Sequence, residues 1–235
     1  MTCSRAFLIL GFCLATAACG DAPGIAGHIE TRDDRMKRQE AEFNASPDIK
    51  GEELRKRLNA LGIQDAWIKP AIEENGVEVF ELRAPKADFA ELDHRALAKL
   101  RLDSRYRFDF VEPGQIHTAA LYHGAEMHER NKAKALKELA ERGQLDSYPK
   151  YRKGMPVSLY ASKLEAWCGY KDGQALRVVD GNWVDYQHAM VDMAVNDKDG
   201  RASASFDCMK RVVDASTEFR RRFIGNRGRE GAIDY

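Results

Sequence analysis

Residues 164–208, LEAWCGYKDGQALRVVDGNWVDYQHAMVDMAVNDKDGRASASFDC, decide the expected fold of the C-terminal half of this chain. Turn-forming residues interrupt the stretch at 171–173 (KDG), 180–182 (DGN) and 197–200 (DKDG). Turn signals at intervals of roughly 8–12 residues are typical of antiparallel sheets. The pattern therefore predicts an antiparallel β-meander in which the DKDG segment forms a hairpin turn.

The meander is expected to be followed by a terminal helix at residues 212–223. The strand segments of the meander are expected at residues 157–160, 164–170, 175–179, 183–195 and 202–208. A helix stays open as the alternative for residues 183–195, because Met190, Val191 and Met193 also suit one helical face.

Upstream of the meander, apolar residues follow helical and strand periods in turn. The predicted elements are a helix at 52–61, a strand at 77–82, a helix at 87–102 and a strand at 106–110. They make an α-β-α-β unit over residues 48–114, and a charged helix follows at 124–142. The fold class is therefore α+β, with this unit preceding the meander.

Four segments follow from these patterns. They are an export signal at 1–18, an N-terminal linker at 19–47, an α+β region with its trailing helix at 48–143, and a sheet region with a C-terminal helix at 144–235. The last two form either one domain or two.

The composition indicates a globular chain that does not bind nucleic acid through its overall charge. The 235 residues are 44% hydrophobic and 31% charged, and the formal net charge is +0. Nucleic-acid binders usually carry a positive excess that neutralises phosphates.

The first 18 residues have the pattern of a signal peptide. Arg5 precedes an apolar stretch, AFLILGFCLATAA, at residues 6–18. These 13 residues are too few for a membrane-spanning helix, which needs about 20.

The segment that follows, residues 16–20 (TAACG), resembles the lipobox of bacterial lipoproteins, in which the cysteine is acylated and becomes the new N-terminus. The resemblance implies lipidation of Cys19, and Gly20 in place of an aspartate favours the outer membrane. Residues 20–24 (GDAPG) then read as a flexible tether. Plain secretion after Ala15-Thr16-Ala17 is the alternative, since an aliphatic residue usually stands where Thr16 lies.

Cysteine counting predicts one disulfide. Of the five cysteines, Cys3 and Cys13 leave with the signal and Cys19 takes the lipid, which leaves Cys168 and Cys208. In an oxidising compartment these two pair, with a stabilisation of about 4 kcal/mol from loop closure. A redox or catalytic thiol is the weaker interpretation, because no C-x-x-C occurs and His188 has no evident orienting partner.

No catalytic, metal or cofactor motif is complete. Lys132 replaces the second histidine of an H-E-x-x-H motif that begins at His128, and a Glu91/His94 E-x-x-H motif has no second copy. The densest set of possible ligands is His117, His123, Glu126 and His128. We favour a solvated surface for this set, and we predict neither a metal nor a cofactor.

The C-terminal arginines are the last candidate site. Arg220, Arg221 and Arg222 could contact acidic headgroups or an acidic protein, although solvation of a terminal helix is the simpler interpretation.

These patterns favour a lipid-anchored, periplasm-facing binding module rather than an enzyme. Its expected partner is an envelope or secreted protein, and an immunity-type inhibitor is one version. The alternative is a periplasmic hydrolase that uses His117, His123 or His188 with dispersed acids.

Overall fold

The computed structural model describes residues 22–25, 29–45, 49, 51–72, 78–104, 107–179, 183–216 and 221–222. The helices are α1 (Arg32–Ala45), α2 (Gly51–Ala60), α3 (Lys86–Ala90), α4 (His94–Asp103), α5 (Pro113–Glu141), α6 (Val157–Trp167), α7 (His188–Asn196) and α8 (Arg201–Ala215). The strands are β1 (Ile68–Ile72), β2 (Glu78–Leu82), β3 (Arg107–Phe110), β4 (Leu176–Val179), β5 (Trp183–Tyr186) and β6 (Arg221–Arg222). Short 3₁₀ turns lie at Pro23–Ile25 and Asp65–Trp67.

The N-terminal half is built on a three-stranded sheet in the order β1-β2-β3. β1 and β2 are antiparallel, whereas β2 and β3 are parallel and are connected through α3 and α4. In the parallel pair, Phe80 lies opposite Phe108 and Leu82 lies opposite Phe110. All four side chains are buried with the leucines of α2, so one face of this sheet forms the first core.

The C-terminal half has a second sheet, in which β4 and β5 are antiparallel and β6 is parallel to β5. Its core contains Tyr160 and Leu164 of α6, Met190 of α7, and Met209 and Val212 of α8. Each of these five side chains is fully buried. Helices therefore supply most of the apolar surface that covers this small sheet.

The 29-residue helix α5 contacts both halves. Near its start, Ala119 packs against the first core. Near its end, Ala135 and Leu139 are buried together with Ala215 of α8. The position of the predicted boundary at residue 143 stays a prediction.

The predicted α+β class is confirmed, together with several elements. Helix α2 buries Leu54 and Leu58 and is followed by Gly62 at φ +89°, as a C-terminal stop requires. Strands β2 and β3 lie within residues 77–82 and 106–110, and the β4–β5 hairpin lies where the meander was expected.

The rest of the predicted meander is wrong. Residues 157–160 and 164–167 lie in α6, and residues 202–208 lie in α8. The buried residues of α6 include Val157, Tyr160, Ala161 and Leu164. This i, i+3, i+4, i+7 spacing forms a helical stripe, and short apolar segments fit a strand almost as well when they are considered alone.

Residues 183–195 divide at Gln187, with strand β5 before it and helix α7 after it. The strand prediction was right for the first part, and the helix alternative was right for the second. The expected hairpin turn at 197–200 instead joins α7 to α8. Gly200 has φ +81°, and a Cβ atom there would collide with the backbone of Glu30. Only glycine suits that position.

The helix predicted at 212–223 is right for residues 212–215 and wrong for residues 216 and 221–222. Helix α8 begins at Arg201 and ends at Ala215, because Ser216 has extended backbone angles. Arg221–Arg222 forms β6 beside Val184 and Asp185 of β5, and residues 217–220 and 223 lie outside the described part.

Four differences concern the N-terminal half. The helix expected at 87–102 breaks in two, because Asp93 caps α4 by accepting a hydrogen bond from the Ala96 N–H at 2.9 Å. Strand β1, which contains Pro70, was not predicted.

The helix expected at 124–142 starts earlier, at Pro113. The predicted linker 19–47 includes helix α1, which has no buried residue.

Leu164 and Leu159 provide a matched test of the core in α6. Leu164 is 0% exposed and Leu159 is 46% exposed. We expect Leu164→Ala to lower the free energy of unfolding by about 2–5 kcal/mol, because it leaves a cavity. Leu159→Ala should change it by no more than about 0.5 kcal/mol. Urea titration followed by circular dichroism measures both, and equal losses would contradict the assigned helical face.

Candidate functional site

The predicted cysteine pair is present as a disulfide. Cys168 directly follows α6 and Cys208 lies in α8, with 5.6 Å between their Cα atoms. Both residues are almost completely buried. The bond therefore joins the end of α6 to α8. The prediction that it joins two strands of the meander is wrong.

Residues 22–25 pack directly on this disulfide. A Cβ atom on Gly24 would lie 2.6 Å and 2.7 Å from two ring atoms of Trp167, and it would also overlap the sulfur of Cys208. The side-chain amide of Gln144 donates a hydrogen bond to the carbonyl of Pro23. Residues 22–24 were expected to belong to a flexible tether, and they are instead part of the folded domain. Residues 20 and 21 lie outside the described part.

A buried carboxylate organises the turn after the disulfide. Glu165 is 1% exposed, and its two oxygens accept hydrogen bonds from the backbone N–H groups of Gly173, Ala175 and Leu176 at 2.7, 2.7 and 2.8 Å. These bonds replace water around a charge that is expensive to bury. Glu165 therefore fixes the start of β4 relative to α6.

Ion pairs attach α1 and α5 to α8. Arg35 of α1 lies 3.1 Å from the carboxylate of Asp207, and Arg211 donates a hydrogen bond to Glu138 of α5 at 2.9 Å. Burial raises the pKa of the Asp207 carboxyl, and the positive charge of Arg35 opposes that rise. The Arg211 side chain is only 8% exposed, so its guanidinium depends on Glu138 for compensation.

A small cavity of about 20 Å³ lies between α4, α5 and the first sheet. Its polar lining consists of His94, Arg101 and His123, and the other lining residues are apolar. The Nδ1 atoms of both histidines are buried and lack a hydrogen-bond partner. A cavity of this size holds about one water molecule. Burial lowers the pKa of both imidazoles, and nearby Arg101 lowers the pKa of His123 further.

The four ligands considered for a metal, His117, His123, Glu126 and His128, do not gather into one site. His117 is exposed and does not line this cavity, and neither does His128. The Glu126 carboxylate is held by Arg95 at 3.6 Å and Arg130 at 3.4 Å. Across the described ranges, no three His, Cys, Asp or Glu side chains form a possible metal site.

His188 has an orienting partner, Asp192, which was not evident from the sequence. Its Nδ1 lies 2.8 Å from Asp192, one turn further along α7. Both side chains are well exposed, and neither lines the cavity of His94 and His123.

The predicted lipidation site and the predicted arginine cluster lie wholly or partly outside the described residues. Cys19, Arg220 and the export signal at 1–18 lie outside the described residues. Arg221 and Arg222 contribute backbone to β6.

Gly24, Gln144 and Glu165 were not among the site residues predicted from the sequence. Glu165 carried a usable signal, because it follows Ala161 by one turn and so lies on the buried stripe of α6. An acid on such a stripe needs donors, and the nearby KDGQ turn offers backbone N–H groups. Gly24 and Gln144 carried no comparable signal.

In the part of the chain that the structure describes, no helix has the length and apolar composition needed to cross a bilayer. No protein-family model, curated protein or solved structure matches this chain.

Replacing the buried carboxylate should destabilise the C-terminal half. Glu165→Gln keeps the size of the side chain but turns an amide N–H₂ towards backbone donors, so we expect a loss of about 1–3 kcal/mol in the free energy of unfolding. Glu141→Gln is the control, because Glu141 is exposed and pairs only loosely with Lys137 at 3.8 Å. Chemical denaturation compares them, and a neutral Glu165→Gln would contradict this role.

The cavity histidines should make stability depend on pH. Their pKa values are lower in the folded chain than the ordinary value of 6.5, so the unfolded chain binds more protons in mildly acidic solution. Stability should be complete above about pH 6.5 and should fall below it. Urea midpoints at several pH values should fall more steeply for the unmodified chain than for a His94→Gln/His123→Gln double variant. Parallel curves would contradict this origin.

Proposed function

We propose that this chain is a lipid-anchored binding module that faces the periplasm and recognises an envelope or secreted protein. An immunity-type inhibitor, which would neutralise an incoming toxic protein, is one specific version. The proposed anchor is an acylated Cys19, with the outer membrane favoured by Gly20.

The main support is the order of features around the start of the domain. The lipobox-like residues 16–20 are followed, two residues later, by residues 22–25 packed on the Cys168–Cys208 bond. Disulfides persist in oxidising compartments such as the periplasm. An acylated Cys19 and a stable disulfide therefore require the same location.

Binding is favoured over hydrolysis by the chemistry of the buried polar groups. Glu165 uses its carboxylate to accept three backbone hydrogen bonds, and Glu126 is held by two arginines. The cavity that His123 lines contains no carboxylate. His188 does pair with Asp192, but both side chains are well exposed, so the described residues favour binding over hydrolysis.

Intact-mass measurement tests the anchor. The protein recovered from membranes should carry acyl mass on Cys19 and the mass of a disulfide in place of two thiols. Cys19→Ala should remove the acyl mass and leave the membrane fraction depleted of the protein. Unacylated wild-type protein in the soluble periplasmic fraction would contradict the anchor and favour plain secretion.

Affinity capture tests the partner. Solubilised native membranes, supplied with secreted proteins from competing cells, should yield one protein in stoichiometric amount with the anchored chain. The control carries residues 1–21 of this chain on an unrelated domain, so that anchor and lipid are the same. No partner, despite a near-ultraviolet spectrum that shows a folded domain, would contradict the proposal.

A further inference from the structure

We infer that residues 144–154 form the membrane-facing surface of the anchored protein and contact anionic phospholipid headgroups. The inference rests on the proposed acylation of Cys19. It goes further by assigning one particular surface, which we call the basic loop, to the bilayer.

The first step is the length of the tether. Ala22, the first described residue, is only three residues after Cys19. Three residues span at most about 10 Å when fully extended. Because residues 22–25 are packed on the disulfide, the tether gains no further length from them. The part of the domain around Pro23 must therefore lie close to the headgroup region.

The second step is the position of the basic loop next to this docked segment. Gln144 begins the loop, is 7% exposed, and donates its side-chain hydrogen bond to Pro23. Tyr148 and Tyr151 pack against the same core cluster as Ile25. The loop therefore begins beside the docked segment and packs on the same core.

The third step is the chemistry of the loop. Lys150, Arg152 and Lys153 are exposed, and Asp146 is the one acidic residue within 144–154. Each basic residue near an anionic leaflet strengthens binding by roughly fivefold. The lipid anchor and these charges act together, because a basic patch strengthens attachment to an anionic surface.

Apolar and aromatic groups complete the surface. Leu145 is 39% exposed, and the Lys150 ammonium lies 5.0 Å from the ring centre of Tyr148. Tyrosine and lysine side chains suit a membrane interface, where an apolar stem and a polar end meet different surroundings. A membrane surface matches this mixture of groups better than bulk water does.

The first experiment maps the surface on vesicles. Acylated protein is bound to phosphatidylcholine vesicles containing phosphatidylglycerol, and exposed lysines are acetylated and measured by mass spectrometry. Lys150 and Lys153 should be protected several-fold relative to the soluble mature chain with Cys19→Ser. Lys56, Lys69 and Lys86, exposed on the N-terminal half, should react equally in both samples. If Lys150 and Lys153 react equally in the vesicle-bound and the soluble sample, the inference is overturned.

The second experiment separates this inference from the anchor. The mature chain with Cys19→Ser should bind vesicles containing phosphatidylglycerol more tightly than phosphatidylcholine alone. Lys150→Glu/Arg152→Glu/Lys153→Glu should weaken that binding about a hundredfold, as three basic contacts imply. The control, Lys56→Glu/Lys69→Glu/Lys86→Glu, has the same change in charge and should bind nearly as well as the parent chain.

The outcomes are distinguishable. Missing acyl mass on Cys19 would remove the anchor, while a preference for phosphatidylglycerol that depends on the loop would still support the surface. Acylation without protection of the loop would leave the anchor intact and overturn the surface. Equal losses in the two triple variants would show a general charge effect and would also overturn it.

Discussion

The disulfide between Cys168 and Cys208 is the covalent constraint around which the C-terminal half is arranged. It connects the end of α6 to the middle of α8, and both helices contribute to the second core. Residues 22–25 pack on its outer side, and Glu165 fixes the turn that leaves Cys168. Loop closure of this length contributes about 4 kcal/mol, and the packing arranged around the bond adds to that.

The two halves are joined mainly by one helix seam. Leu139 of α5 and Ala215 of α8 are buried together, and Arg211 pairs with Glu138 beside them. A buried ion pair contributes little net stability, but it penalises any register that separates its charges. The apolar contact therefore holds the seam closed, while the charged contact specifies how α5 lies on α8.

Local patterns explain what the sequence could and could not predict. Helix α2 and strand β3 have clear periods, and the cysteine pair follows from counting, so these features were predictable. Helix α6 was not predictable, because its tyrosine, valine and tryptophan suit strands in isolation. Helix α8 was not, because a DKDG turn followed by a short segment of small and apolar residues also suits a hairpin strand. The candidate surfaces depend on long-range contacts such as Gln144 with Pro23, and no local pattern encodes such a contact.

The docking of residues 22–25 has a consequence for the order of folding. Gly24 packs against Cys208, which lies more than 180 residues later in the chain. Contacts at such sequence separation form late, after the intervening loop has been closed. A chain synthesised from its N-terminus must therefore extend through α8, and α8 must be in position, before residues 22–25 can dock. The docking of residues 22–25 therefore depends on a C-terminal helix that is already in place.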